Sequence, residues 1–190
     1  MFRSYLSAVR NHTGIETQRL RLALGRSPSV LDPSLPAGAV AAEPNVLFLC
    51  YGNICRSPLA ERYLESAAQT EGLAVDSAGL RTTAGRSSPD DAVRVADELG
   101  VDLTDHRSKP VTTELLAWSD VVFVMDLLNY HDLRREFGDC DEKTRFLGVY
   151  SGDDYEISDP YGEGIDGFRT LYGDVITAVD GVVDTLESDR

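Results

Sequence analysis

VLFLCYGNICRSP, from Val46 to Pro58, carries a strand, a tight loop and the start of a helix in one stretch. Val46 to Cys50 is short and wholly apolar, bounded by Asn45 and Gly52, the pattern of a strand buried on both faces. Pro58 suits the first turn of a helix, and Leu59, Ala60, Tyr63, Leu64 and Ala67 follow at helical spacing. They predict a helix from about Ser57 to Glu71, stopped by Gly72. The residues between, Tyr51 to Arg56, form the loop that joins strand to helix.

Downstream, the same alternation continues. Leu73 to Ser77 reads as a strand, Pro89 to Leu99 as a helix ended by Gly100, and Thr112 to Trp118 as a short helix. Asp120 to Met125 reads as a second buried strand, Leu127 to Phe137 as a helix, Thr144 to Val149 as a strand and Ile165 to Leu186 as the last helix. Alternating β and α units imply an α/β fold, a parallel sheet with helices on both faces. In such sheets ligands bind beyond the carboxyl ends of the strands, where strand order reverses.

The loop after the first strand therefore sits where an anion site is expected. A loop wrapped from a strand into a helix N-terminus points successive N–H groups inward, with the helix dipole behind them, and Gly52 relieves its steric limits. Arg56 closes the ring with a planar fork that grips two oxygens at once. These surroundings favour a thiolate at Cys50, a nucleophile placed beneath a bound phosphorus. Ser57 is expected to hydrogen-bond that sulfur and Asn53 to brace the loop. A lone cysteine at a strand end is usually inert, but not with Gly52, Asn53, Arg56 and Ser57 at these offsets.

The 190 residues, 42% hydrophobic, suffice for one ordinary core. The net charge of −14 excludes nucleic acid as a partner and argues against an anionic membrane surface for the body of the protein. Only Lys109 and Lys143 represent lysine, in a composition associated with proteins that stay soluble in concentrated salt. No apolar run is long enough to span a bilayer and no secretory signal is evident, so the cytoplasm is the expected location. Cys50, Cys55 and Cys140 form neither a disulfide framework nor a zinc pattern, so no metal is expected.

Residues 1–43 differ from the rest. They carry five arginines against Glu16, Asp32 and Glu43. Phe2, Leu6, Val9, Leu20, Leu22 and Leu24 give a patchy apolar pattern compatible with one amphipathic helix, and Ser27 to Pro44 reads as a Pro/Ser/Ala/Gly linker. The chain is thus divided into an extension, 1–43, and a domain, 44–190. The extension reads as a flexible or loosely docked tail, with a basic anchor or targeting segment as the alternative.

The C-x5-R-S-P loop of Cys50 to Pro58, with Gly52 and Asn53 inside it, resembles the signature of the low-molecular-weight protein tyrosine phosphatase family. Ser77-Ala78-Gly79, His106-Arg107-Ser108 and Asp159-Pro160-Tyr161 resemble further motifs of that family, in family order. The resemblance covers the chain from Asn45 onward. It implies a flavodoxin-like three-layer fold with a four-stranded parallel sheet, and hydrolysis of protein phosphotyrosine without cofactor or metal. In that reaction Cys50 is the nucleophile, Arg56 binds phosphate and Asp159 is the general acid and then base.

The resemblance also assigns Tyr51, Gly52, Asn53, Ile54, Cys55 and Ser57 to the phosphate loop, Tyr51 and Tyr161 to the substrate walls, and Ser77 and His106 to supporting roles. Cys55 resembles the second cysteine that traps an oxidised nucleophile as a disulfide. From residues alone, Asp153, Asp154, Glu156, Glu163 and Asp166 compete with Asp159; the motif singles it out, and Pro160 restrains its backbone.

Rival activities fit less well. Arsenate reductase chemistry resembles a relay needing further cysteines after the third strand, where this chain has Met125-Asp126 and only Cys140 downstream. Relatives acting on phosphoarginine tend to carry Thr where Ile54 stands. A pure phosphate binder needs no nucleophile and acid together. The expected partner is a tyrosine-phosphorylated protein, opposed by a tyrosine kinase that the sequence does not name.

Overall fold

The computed structural model describes residues 14–25, 28–39, 43–152 and 154–188. Phe2, Leu6 and Val9 of the proposed amphipathic helix lie outside this set, as does Asp153. Residues 14–23 form α1. Then follow β1 (Asn45–Cys50), α2 (Arg56–Ala67), β2 (Ala74–Gly79), α3 (Asp90–Glu98), α4 (Thr113–Trp118), β3 (Val121–Val124), α5 (Leu127–Phe137), β4 (Thr144–Phe146) and α6 (Gly164–Ser188).

The four strands pair in parallel in the order β2-β1-β3-β4. The chain moves to one side of β1 for β2 and to the other for β3, so the order reverses between β1 and β3. That crevice receives the loop after Cys50. This is the flavodoxin-like, four-stranded parallel arrangement expected of the chain.

Strand periodicity explains the layers. Val46, Phe48 and Cys50 of β1, with Val121 and Phe123 of β3, face the layer that holds Leu59 and Leu64 of α2, Val95 of α3 and Tyr172, Val175 and Val179 of α6. Leu47 and Leu49, with Val122 and Val124, face Leu127, Tyr130 and Leu133 of α5 and Leu116 of α4. Both sides of the central strands are therefore buried, as the uninterrupted apolar runs require.

Two boundaries differ most from expectation. Helix α2 ends at Ala67, sooner than Glu71, because Ala68 turns extended and brings the chain round to pair Ala74 with Asn45. The last strand stops at Phe146, and Leu147–Ser151 curls into a 3-10 turn instead of extending to Val149. This turn packs against α6, where any side chain at Gly181 would strike the Tyr150 carbonyl.

The extension also departs from a linker. In α1, Leu22 is buried and Ile15 packs beside it against the α5 layer, while Leu20, and Leu24 just past the helix, face outward. Arg19 lies 3.7 Å from Glu156. Residues 28–39 place Val30 in the α5 layer but Leu35 and Ala39 in the opposite one. The segment crosses between layers beside β4, where the Nε of Arg145 donates to the Ser34 carbonyl at 2.9 Å. Three small apolar anchors among polar residues escape a composition-based reading.

If this packing stabilises the fold, Val30→Ala should lower unfolding stability by about 2 kcal/mol. A denaturant midpoint indistinguishable from the parent's would return residues 28–39 to the status of a linker.

Candidate active site

The loop from β1 to α2 is held by Asn53, a buried residue with φ of 50°, in the left-handed region that asparagine tolerates better than most side chains. Every polar group of Asn53 is engaged. Its backbone N–H donates to Cys50 Sγ at 3.2 Å, and its Nδ2 donates to Ser57 Oγ at 3.0 Å and Ser77 Oγ at 2.8 Å. Its Oδ1 accepts from the Lys109 backbone N–H at 2.9 Å. Its carbonyl lies 2.7 Å from His106 Nε2, which must carry the proton because a carbonyl only accepts.

The donors can be followed around the network. Ser57 Oγ accepts from Asn53, so its single hydrogen is free to point at Cys50 Sγ, 3.1 Å away. Ser77 Oγ likewise accepts from Asn53 and gives its hydrogen to Glu61 Oε2. Glu61 is buried on α2, and burial raises its carboxyl pKa. Gly79 at the end of β2 permits this close packing, since a Cβ there would lie 3.1 Å from the Asn53 backbone nitrogen.

Opposite the sulfur stands Arg56, only 1% exposed. One of its terminal nitrogens, Nη1, donates to Asp126 Oδ2 at 2.5 Å and to the Ile157 carbonyl at 2.8 Å, while Nη2 reaches Asp159 Oδ2 at 2.8 Å. Burial alone would lower the guanidinium pKa, but Asp126, then Cys50 and Asp159, outweigh it and hold it above the ordinary value. With both Nη1 hydrogens anchored and one Nη2 hydrogen given to Asp159, the Nε–H and the second Nη2 hydrogen are the guanidinium donors left for another partner.

These groups line a cavity of about 510 Å³ that contains Cys50, Tyr51, Gly52, Ile54, Cys55, Arg56, Leu128, Asp159 and Tyr161, with Arg86 at its edge. Tyr51 is 43% exposed, Tyr161 64% and Asp159 44%. Asp159 is braced by the Tyr161 N–H, which donates to Oδ1 at 3.1 Å, so this carboxylate spans the Arg56 guanidinium and its own turn. Cys55 is buried, and burial together with Cys50 raises its thiol pKa. Cys140 lies far along the chain beside Thr144 and lines no part of this cavity.

Every residue that the sequence nominated for the loop, its walls and its support is thus brought together. Three that matter were not nominated. Asp126 ends the β3 run and caps α5, its Oδ1 accepting from the Asn129 N–H at 2.7 Å; an acid between strand and helix was the available signal. Glu61 falls four residues after Ser57, one helical turn along the same buried face. Arg86 gave no sequence signal.

Among the described residues no group of three or more His, Cys, Asp or Glu side chains is placed to hold a metal ion. No described helix is long and apolar enough to cross a membrane.

The family model described as "Low molecular weight phosphotyrosine protein phosphatase" matches residues 45–190. The chain belongs to that family. Within it, the chain is 35% identical over 142 residues to the probable low molecular weight protein-tyrosine-phosphatase AmsI of Erwinia amylovora, covering 75% of this chain and 96% of that one. The YwlE arginine phosphatase of Geobacillus stearothermophilus superposes with a TM-score of 0.70 at 31% identity, covering 76% of this chain and 94% of that one. A YwlE arginine phosphatase mutant with a phosphorylated active-site serine superposes at 0.71 with 30% identity, over 77% and 97% of the two chains.

His106 allows a test of the loop support. Burial, helped by Arg62, Lys109 and Arg107, lowers its pKa, while the bond to the Asn53 carbonyl acts the other way. The neutral ring therefore contributes stability that is complete above about pH 6.5 and is lost as pH falls through the lowered value. His106→Gln keeps a donor for the carbonyl but does not titrate. It should lose less stability than the parent between about pH 7 and about pH 5 in urea unfolding; parallel profiles would remove His106 from the network.

Proposed function

We propose that this phosphatase hydrolyses phosphotyrosine in proteins through a phosphocysteine on Cys50. The observation that carries the reading is the arrangement of Cys50 Sγ, which receives the Asn53 N–H and faces the Ser57 hydroxyl, in one cavity with Arg56 and Asp159. The phosphatase unit is read as residues 44–190, with residues 1–43 as an extension whose described parts, 14–25 and 28–39, pack onto it.

The phosphate enters beneath the loop amides and against the Nε–Nη2 edge of Arg56, which disperses charge on the equatorial oxygens. The Cys50 thiolate attacks phosphorus, the S–P bond forms, and the bond to the phenolic oxygen breaks as Asp159 supplies its proton. Water then attacks phosphorus and gives a proton to the Asp159 carboxylate. The S–P bond breaks, restoring the thiolate and releasing inorganic phosphate. The phosphorylated serine in the active site of a YwlE mutant supports a covalent intermediate on the corresponding nucleophile.

Tyr51 and Tyr161 at the rim, with Ile54 and Leu128 inside, suit a flat phenyl ring. The similarity to arginine phosphatases brings phosphoarginine forward as the second substrate. Against it, the apolar Ile54 offers no hydrogen bond to a guanidino group. A reducing cytoplasm suits a reaction that needs a free thiol at Cys50.

Phosphate release from a phosphotyrosine peptide, measured with chelator present, should persist in the parent and vanish in Cys50→Ser. Asp159→Asn should slow turnover by about 10²- to 10⁴-fold with phosphate affinity nearly unchanged. Activity surviving Cys50→Ser, or confined to a phosphoarginine peptide, would overturn the reading.

Cys55 next to the nucleophile adds a redox test. Peroxide should inactivate the enzyme, and dithiothreitol should restore it far better in the parent than in Cys55→Ala. Equal recovery of both proteins would leave Cys55 as packing alone.

A further inference from the structure

Arg86 stands apart from the other cations around the active site. Its guanidinium lies over the phosphate loop, Nη1 coming within 3.6 Å of where a Cβ on Gly52 would be. The side chain is exposed and lines the active-site cavity, and it also lines a more open neighbouring cleft of about 670 Å³. That cleft runs from Arg86 past Thr82 and Thr83 to Arg81 and Glu136. The backbone of Arg86 is fixed from both sides. Its N–H donates to Ser108 Oγ at 3.0 Å, and its carbonyl accepts from the Ser108 N–H at 2.9 Å.

The other two arginines lining these cavities already have carboxylate partners. Arg56 is bound by Asp126 and Asp159, and Arg81 by Asp132 at 2.8 Å and Glu136 at 3.1 Å. Nearby, Lys109 pairs with Asp76, and Arg107 donates to the Thr104 and His106 carbonyls. Among the described residues no carboxylate lies within ion-pairing distance of Arg86. In a chain with 32 acidic and 18 basic residues, an unmatched cation at the mouth of the site is conspicuous, and an incoming anion is the natural partner.

We propose that Arg86 is a specificity-determining residue that pairs with a carboxylate next to the phosphotyrosine, so that this site prefers phosphotyrosine flanked by Asp or Glu. The inference rests on the phosphotyrosine reading above. A residue adjacent to the phosphotyrosine has its Cα about 3.8 Å along the chain, close enough to lie over the shared rim where Arg86 separates cavity from cleft. An exposed charge pair is weak, so the preference is modest and sensitive to salt.

The test compares two phosphotyrosine peptides differing only in Glu or Gln on either side of the phosphotyrosine. In the parent the Glu peptide should show about two- to fivefold higher kcat/KM at low salt, falling toward equality near about 0.5 M salt. Arg86→Gln should bring the ratio to about one and Arg86→Glu should invert it. The same ratio, read as Kd on Cys50→Ser, decides the matter independently of turnover. A Glu preference in binding without hydrolysis by the parent would uphold Arg86 and count against the phosphatase reading. A ratio of one in the parent, or a preference undisturbed by Arg86→Glu, would overturn the assignment.

Discussion

A guanidinium taken out of water costs several kcal/mol unless its charge and its N–H groups are met. At Arg56 they are met by parts of the chain remote in sequence: Asp126 at the end of β3, the Ile157 carbonyl, and Asp159 in the loop before α6. One buried side chain thereby sets the relative positions of the phosphate loop, the third strand and the acid-bearing loop. The same junction is tied again through the backbone. Ile157 N–H donates to the Met125 carbonyl at 2.7 Å, and the Leu127 N–H donates to Glu156 Oε1 at 2.9 Å. The carboxylate nominated to move protons is therefore located by the group nominated to hold phosphate.

The other half of the site is organised around a neutral side chain. Asn53 holds an unfavourable backbone conformation and recovers its cost through bonds on all sides. The outcome is that an N–H and a hydroxyl converge on one sulfur, a floor already arranged for the proposed attack on phosphorus. A charged anchor on one wall and a neutral scaffold on the floor divide the work. In the proposed reaction Arg56 supplies attraction for the dianion, and Asn53 supplies direction.

Much of this was legible in the residues. The apolar runs Val46–Cys50 and Asp120–Met125 betray strands covered on both faces, and the spacing of Cys50 and Arg56 needs only strand, loop and helix to become a site. Asp126 was harder to see because its role depends on which strand lies next to β1, and strand order is a property of the whole sheet. Arg86 was invisible for a similar reason, since the role proposed for it comes from the absence of nearby carboxylates among the described residues, which composition cannot show. Val30, Leu35 and Ala39 were hidden by their neighbours; isolated apolar residues in a Pro/Ser/Ala/Gly stretch have no periodicity to report.

Such sheets are ordinarily vulnerable at their outermost strand, whose unpaired N–H and C=O groups can recruit a strand from another molecule. β2 and β4 are the two edge strands here, and β4 is only three residues long. Residues 28–39 pass around it from one layer to the other, with Arg145 of β4 bound to the Ser34 carbonyl. Residues 28–39, upstream of the family domain, thus lie against the edge at which a strand from another molecule would have to pair, a matter of solubility separate from the chemistry at Cys50.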